Sequence, residues 1–377
     1  MTRRSAFIHS AELEKYSYPA DCPFNTSRAA KVRDLIASMG MLGGKDTPVV
    51  EPTAASRIVA KKFHTAQYLH VLKKASAGQW DYEALMMGIG TVDCPVFAGM
   101  YEYAMLAAGA SIKGAQLILD DQADVAFNPS GGYHHAMPSR SAGFCYVNDV
   151  ALACMVPAEA GKRVLYLDVD VHCGDGVALA FEDRSDVMTI SLHQNPKTLF
   201  PGTGFEKEIG EGEGRGYCVN VPLPVGMFDE AYQWAFGEIV PPLIGVFEPD
   251  VIVLELGADT LAGDPLANMN LTNNTYAVII ERLLGFGKPI LMTGGGGYSV
   301  ENTVRAWALA WSVLSGQDRQ NDMNLGLGGV MLESTDWQGG LRDRVLAVTE
   351  QQRASVEPSV RAVVDFIKKT VFPIHGL

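Results

Sequence analysis

The sequence has little positive charge, no long uninterrupted apolar run and no signal-peptide pattern. Its 377 residues carry 30 Lys and Arg against 43 Asp and Glu, a net charge of -13. No basic patch stands out, so direct nucleic-acid binding is not expected. The longest apolar stretch, Tyr101 to Leu119, is interrupted by Lys113 and by small residues, which argues against a membrane span. The N-terminus lacks an apolar stretch long enough for a signal peptide.

Paired cysteines are also missing. The six cysteines include no CxxC pair, and a chain of this size needs no disulfides for stability. These features predict a protein of the reducing cytoplasm and leave the oligomeric state open. The six are Cys22, Cys94, Cys145, Cys154, Cys173 and Cys218.

The apolar runs that are present predict a mostly parallel α/β sheet. Most are continuous rather than alternating, as expected for strands covered on both faces. They occupy residues 125–127, 163–171, 187–192, 217–223, 251–256 and 289–293. Helical patterns lie between them at Asn148–Met155, Phe228–Phe247, Asn274–Phe286 and Val300–Leu314, and the first 120 residues are largely helical in pattern.

We find no internal repeat and no Pro/Ser-rich linker, so the pattern predicts a single domain over residues 1–377 with its catalytic core at about 5–315. The polar, glycine-rich segment 316–340 is expected to be a long surface loop. A helix from about Leu341 and a tail, within 341–377, would follow it.

Polar side chains gather after four of the predicted strands. Ligands of open α/β sheets bind beyond the carboxyl ends of the strands, so these loops are expected to meet at one edge. The residues concerned are His134 and His135, then Asp168, Asp170 and His172, then Asp259 and Asp264, and finally Tyr298.

The segment "LDVDVHCGDG" predicts a metal site. Alternate residues of a strand share a face, which places Asp168, Asp170 and His172 together. Neighbouring buried carboxylates repel each other, and a divalent cation removes that conflict. Asp170 and His172 offer two ligands and Asp264 can supply a third, leaving an open position as in catalytic sites. Zn²⁺ suits this set, and Fe²⁺ or Co²⁺ are chemically possible; the alternative is a hydrogen-bonded strand end without a metal.

The adjacent histidines and the glycine loop supply the remaining chemistry. Asp168 and Asp175 can orient His134 and His135, which creates a general base and acid beside the metal. Tyr298 follows four glycines and can donate a hydrogen bond to an oxyanion, a contribution of ~3 kcal/mol to lowering a barrier. Together these residues predict metal-assisted hydrolysis of an amide or similar carbonyl compound.

Several motifs in a fixed order carry a family resemblance. They are "FHTAQYL" (63–69), "DCP" (93–95), "GGYHHAMPSRSAGFCYVND" (131–149), "YLDVDVHCGDGV" (166–177), "SLH" (191–193), "FPGTG" (200–204), "GADTLAGDP" (257–265) and "GGGGYSVENTVRAW" (294–307). With them the chain resembles the histone deacetylase family, including its bacterial and acetoin-utilisation members. The resemblance implies the arginase–deacetylase fold, a single α/β domain with an eight-stranded parallel sheet.

The resemblance also implies a role for each matching residue. It makes Asp170, His172 and Asp264 metal ligands, and Tyr298 the donor that polarises the carbonyl. His135 with Asp175 becomes the general base and acid, and His134 with Asp168 its electrostatic partner. The implied substrate is an acyl-lysine peptide or protein, from which acetyl or another short acyl group is removed.

Further positions follow from the same resemblance. Gly143, Phe144 and Phe200 would line the acyl-lysine tunnel, Asp93 would grip the substrate backbone, and Arg28 would lie near an inner exit channel. Potassium or sodium is implied at two sites. The first comprises Asp168, Asp170, His172, Ser191 and Leu192; the second comprises Phe181, Arg184, Val187 and Tyr217.

Three positions depart from relatives or decide between substrates. Cys173 stands where many members have a second histidine, and Leu199 where relatives often have an aromatic residue. Leu271 is expected at the position where polyamine-specific relatives carry a glutamate gatekeeper, which favours acyl-lysine over an acetylpolyamine. A deacetylase of a small-molecule amide such as an acetylpolyamine remains the main alternative.

Other functions fit the sequence less well. An arginase-like enzyme would need two manganese ions and more carboxylates. A nucleotide binder on the glycine loop would need GxxxxGK[ST] or GxGxxG, which the loop lacks. An inactive binding module would not need the intact ligand and histidine sets.

Overall fold

Eight parallel strands form the centre of the structure, a computed structural model that describes residues 3–318 and 340–377. The strands are β1 (Ser5–Ile8), β2 (Val49–Val50), β3 (Val125–Asn128), β4 (Val164–Asp168), β5 (Val187–Gln194), β6 (Cys218–Leu223), β7 (Val251–Glu255) and β8 (Ile290–Thr293). Their order across the sheet is β2-β1-β3-β8-β7-β4-β5-β6. The parallel eight-stranded α/β domain is the predicted fold.

All six apolar runs contain strands, although the bounds differ. The largest difference is in β4, which ends at Asp168 rather than at 171. There the Asp168 Oδ1 atom accepts the amide proton of Asp170 at 3.0 Å, and the side chain replaces a ladder partner. The short strands β1 and β2 lie in the region for which the sequence predicted helices.

Eleven α-helices lie in the described residues. They are α1 (Ser27–Ser38), α2 (Arg57–Ala60), α3 (Ala66–Ser76), α4 (Tyr82–Met86), α5 (Met100–Leu119), α6 (Asp149–Glu159), α7 (Asp175–Phe181), α8 (Asp229–Phe247), α9 (Asn273–Leu284), α10 (Val300–Leu314) and α11 (Glu350–Thr370). The bounds of α10 match the prediction, and α6 starts after Asn148, whose side chain accepts the Ala151 amide proton at 2.9 Å.

The C-terminal helix begins later than predicted. It starts at Glu350 instead of about Leu341, because Thr349 caps it by accepting the Gln352 amide proton at 3.1 Å. Most of the predicted loop 316–340 lies outside the described residues. No helix in the described ranges is long and apolar enough to cross a membrane.

Two hydrophobic cores cover the sheet, one on each face. In β4, Leu165 and Leu167 belong to one core, whereas Val164 and Tyr166 belong to the other. Both faces of the strand are therefore buried, which is why its sequence is continuously apolar.

The four strands that lead into the polar loops are neighbours. They lie in the order β3-β8-β7-β4, so their carboxyl ends meet at one edge of the sheet. This adjacency brings loops that are distant in sequence into one site.

Candidate active site

Asp170, His172 and Asp259 form a buried cluster with metal-ligand geometry. Their ligand atoms lie within 4.8 Å of one another, and His172 Nδ1 is 3.1 Å from both Asp170 Oδ1 and Asp259 Oδ2. The buried Asp259 Oδ2 atom has no hydrogen-bond partner among the described residues. A buried carboxylate oxygen without a donor fits a metal ligand, and the Asp/His/Asp set suits Zn²⁺.

Electrostatics favour a cation at this cluster. Burial, and then the nearby Asp170 charge, raise the pKa of Asp259 to about 7. Burial alone would lower the pKa of His172, but its contacts with Asp170 and Asp259 raise it to about 10. Both shifts show that the two carboxylates stabilise positive charge between them.

Asp264, the third ligand predicted from the sequence, is not one of the three residues of this cluster, and its role as a ligand stays a prediction. Its Oδ2 atom accepts the amide protons of Tyr298 at 2.7 Å and Ser299 at 3.4 Å, and its Oδ1 atom accepts that of Leu266 at 2.9 Å. The Asp264 carboxylate therefore anchors the loop that carries Tyr298. Asp259 is closer to the end of β7, and its Oδ2 atom lies 3.1 Å from His172 Nδ1.

The glycine loop passes directly over the metal-ligand cluster. The Gly296 amide donates to Asp170 Oδ2 at 2.6 Å, and a methyl group on Gly296 would overlap Asp259 Oδ2. Tyr298, two residues after Gly296 in the loop, has its ring centre 6.4 Å from that of His172. Burial raises the pKa of Tyr298 well above its usual value, so its hydroxyl keeps its proton at neutral pH.

Arg28 holds the same loop from the opposite side. Its guanidinium donates to the carbonyl oxygens of Gly297 at 2.6 Å and Gly295 at 2.9 Å. It also lies over the rings of Phe24 and Trp307, with its central carbon 4.5 Å and 5.0 Å from their centres. Arg28 thus fixes the glycine loop to α1; its predicted place at an exit channel stays a prediction.

Each of the two predicted His–Asp pairs is in contact. His135 Nδ1 is 2.7 Å from Asp175 Oδ1, and His134 Nδ1 is 3.2 Å from Asp168 Oδ2. The Nε2 atoms of the two histidines face each other at 3.0 Å. One of these nitrogens must donate and the other accept, so only one of the two Nε2 atoms carries a proton.

The surroundings give the two histidines different charges. Burial, and then the charge of His134, lower the pKa of His135 to about 4. Burial would lower the pKa of His134 as well, but Glu255 and Asp168 raise it well above the usual value. These shifts favour a protonated His134 that donates from Nε2 and an unprotonated His135 that accepts.

Glu255 is a buried acidic residue that the sequence analysis did not single out. It ends β7, with its Oε1 atom 2.9 Å from His134 Nδ1 and its Oε2 atom accepting from the Tyr166 hydroxyl at 2.7 Å. Burial raises the pKa of Glu255 to about 8, and the His134 charge opposes the shift. The signal in the sequence was a lone acidic residue inside the apolar run "VIVLEL".

The predicted tunnel residues converge on His135. A Cβ atom on Gly143 would lie 2.5 Å from His135 Cδ2 and 3.0 Å from Phe200 Cε1. The Phe200 ring lies 4.9 Å from the His135 ring and is 43% exposed. Asp93 joins this wall through two hydrogen bonds. Its carboxylate accepts the Gly143 amide proton at 3.2 Å, and its backbone carbonyl accepts that of Phe144 at 2.9 Å.

Leu271 is buried, and its predicted gatekeeper position stays a prediction. Its side chain is 1% exposed and packs in the hydrophobic core, while its amide donates to the Thr260 carbonyl at 3.1 Å. The exposed leucine of this segment is Leu266, whose amide donates to Asp264.

The two predicted monovalent-cation sets each occupy one neighbourhood. In the first, Asp168 pairs with Ser191 across the β4–β5 ladder, and the Ser191 hydroxyl donates to Asp168 Oδ2 at 3.4 Å. In the second, the Arg184 amide donates to the Phe181 carbonyl at 3.1 Å near the start of β5. Potassium or sodium at either place stays a prediction.

The two departures from relatives have definite surroundings. Cys173 is buried, with its Sγ atom 3.5 Å from Asn220 Oδ1. Leu199 is partly buried against the hydrophobic core. The expected widening of the tunnel mouth by Leu199 stays a prediction.

Comparisons with known proteins agree with this architecture. The model of the histone deacetylase domain matches residues 22–314. Histone deacetylase 8 of Danio rerio is 41% identical over 325 residues, which are 85% of this chain and 84% of the relative.

Solved structures give the same result. An HDAC homologue from Aquifex aeolicus superimposes with a TM-score of 0.82 at 30% identity, covering 96% of this chain and 100% of the other. An HDAC homologue complexed with SAHA superimposes with a TM-score of 0.85 at 30% identity, covering 97% and 100%. This chain therefore belongs to the histone deacetylase family and is a hydrolase of the lysine deacetylase class.

Proposed function

We propose that this protein removes acetyl or another short acyl group from the ε-amine of lysine in a peptide or protein, with zinc held by Asp170, His172 and Asp259. The observation that carries the proposal is the position of His135, which is bonded to Asp175 with its ring centre 5.7 Å from that of His172 and 4.9 Å from that of Phe200. When bound, the metal supplies Lewis-acid chemistry by activating water and polarising the acyl carbonyl.

His135 serves as the general base and then as the general acid. Asp175 holds its Nδ1 atom, which leaves Nε2, 3.0 Å from His134 Nε2, as the nitrogen that takes a proton from the attacking water. The same nitrogen afterwards protonates the departing lysine amine. A base of low pKa keeps its lone pair at neutral pH, which suits the first of these steps.

His134 and Tyr298 stabilise the charge that develops on the acyl oxygen. Glu255 and Asp168 raise the pKa of His134 against the effect of burial, which favours a positive charge on this ring. Tyr298 donates from a hydroxyl that does not ionise near neutral pH. Asp264 and Arg28 keep the Tyr298 loop in place through its backbone.

The substrate stem enters between Phe144 and Phe200, which cover the aliphatic part of the acyl-lysine. Gly143 leaves the space beside His135 that a larger residue would fill. Asp93 stands at the opening with its carboxylate tied to the tunnel wall, placed to accept backbone amide protons of a peptide. Potassium or sodium at the two predicted cation sets would support the β4–β5 region structurally.

A small-molecule amide such as an acetylpolyamine is the second candidate substrate. The predicted gatekeeper position of Leu271, which carries no glutamate, favours acyl-lysine over it. A nucleotide-binding function of the glycine loop loses support. The Gly296 amide is bonded to Asp170 and is not free to cradle a phosphate.

One preparation can test these proposals. Purified protein would be assayed with acetyl-, propionyl- and butyryl-lysine peptides and with N-acetylspermidine, while metal per chain is measured by mass spectrometry. We expect one zinc per chain and fastest release from an acyl-lysine peptide. Full metal content without release from any acyl-lysine peptide would contradict the main proposal, and faster turnover of N-acetylspermidine would favour the second substrate.

A further inference from the structure

Glu255 occupies a place in the sheet that faces the catalytic histidines. It is paired with Asp168 across the β4–β7 ladder, and paired residues of adjacent strands point to the same face of a sheet. Both side chains are 0% exposed. The sheet therefore presents two carboxylates side by side beneath His134.

The two carboxylates compete for few hydrogen-bond donors. The Tyr166 hydroxyl lies 2.7 Å from Glu255 Oε2 and 2.9 Å from Asp168 Oδ2, and its one proton can be given to only one of them. Glu255 Oε1 makes no standard hydrogen bond within the described ranges, but it lies 2.9 Å from His134 Nδ1. This contact is shorter than the 3.2 Å contact of the same nitrogen with Asp168.

A buried carboxylate without a partner is costly, so its retention needs a compensating contact. In the described part of the chain, His134 is the only basic side chain within ion-pair distance of Glu255. His134 Nδ1 is thus contacted by Asp168 on one side and by Glu255 on the other. A ring contacted from two sides has less rotational freedom than a ring with one partner.

We propose that Glu255 is a positioning residue that, together with Asp168, fixes the His134 ring so that its Nε2 atom stays directed at His135. This inference rests on the proposed function, because it assigns Glu255 a part in the same reaction. Glu255 does not touch the substrate and acts only through His134.

Two polar substitutions of Glu255 test whether the length or the charge of its side chain is needed. Glu255→Gln keeps the length: its amide oxygen can face His134 Nδ1 while its NH₂ group donates to the Tyr166 hydroxyl. Glu255→Asp keeps the charge but is one methylene shorter and loses the contact. If Glu255 positions His134, Glu255→Gln retains kcat within about threefold, while Glu255→Asp loses about tenfold or more with KM nearly unchanged.

The measurements are kcat and KM on an acetyl-lysine peptide, zinc per chain and the thermal midpoint, for wild type and both variants. The positioning role is overturned if Glu255→Asp keeps wild-type kcat, or if Glu255→Gln is as slow as Glu255→Asp. A second metal per chain that disappears in Glu255→Gln would also overturn it, because Glu255 would then be a ligand. An inactive wild type with full zinc would instead count against the proposed function.

Discussion

Gly296 donates its backbone amide proton to Asp170 across 2.6 Å, which joins the loop of the proposed oxyanion donor to a proposed metal ligand. The same glycine has no room for a side chain, because a Cβ atom would overlap the carboxylate of Asp259. The proposed ligands Asp170 and Asp259 therefore lie against the glycine loop, which is distant from them in sequence. Metal binding and the placement of Tyr298 are coupled through this contact.

Gly296→Ala should lower metal content and turnover together. The added methyl group displaces Asp259 or the loop, so we expect less than half of the wild-type zinc and a larger loss of activity. Gly245→Ala is the matched control, because it lies in α8 with no atom near its added Cβ. Metal analysis and an acetyl-lysine peptide assay of both variants check this, and a Gly296→Ala protein with full zinc would contradict the coupling.

Tyr298→Phe should reduce kcat by about 10²–10³-fold, as expected for the loss of one oxyanion donor. The ring and its contacts with Phe144 and His172 remain, so zinc content and the thermal midpoint should stay at wild-type values. Steady-state kinetics on one acetyl-lysine peptide provide the test. Wild-type kcat in this variant would exclude Tyr298 from transition-state stabilisation.

Asp259→Asn and Asp264→Asn should have different effects on the metal. Asp259→Asn removes a proposed charged ligand, so most of the zinc should be lost after dialysis against a weak chelator. Asp264→Asn changes only the anchor of the Tyr298 loop, so zinc should be retained while kcat falls about tenfold. Zinc loss in Asp264→Asn but not in Asp259→Asn would restore the ligand set first predicted from the sequence.

The acid limb of the pH profile should lie below the ordinary histidine value. A neutral His135 is required for activity, and its pKa is lowered from 6.5 to about 4 by burial and by His134. Activity should therefore persist as the pH falls through 6.5 and decline only as His135 becomes protonated. Profiles of kcat/KM from pH 4 to 9, with folding and zinc content checked at each end, test this; an acid limb at or above 6.5 would contradict it.

How well each feature could be predicted depends on whether a local sequence pattern encodes it. Strands buried on both faces require continuous apolar runs, so β3 to β8 were visible in the sequence. The strands β1 and β2 were missed because they lie in the first 120 residues, whose pattern is largely helical. The pairs His134–Asp168 and His135–Asp175 came from motif resemblance, and both pairs are in contact. Asp264 and Leu271 were assigned roles by position in a motif, and those two roles stay predictions.

The sequence by itself determined the parallel α/β class, the family and most of the reacting groups, because apolar periodicity and local motifs are properties of neighbouring residues. Only the tertiary structure decided which aspartate completes the ligand cluster, which leucine is enclosed in the core and that Glu255 lies against His134. Those contacts depend on the neighbour relations β3-β8-β7-β4 and on the path of each loop beyond its strand. The distance of 2.9 Å between His134 Nδ1 and Glu255 Oε1 depends on the pairing of strands across the sheet, and no pattern within either segment predicts it.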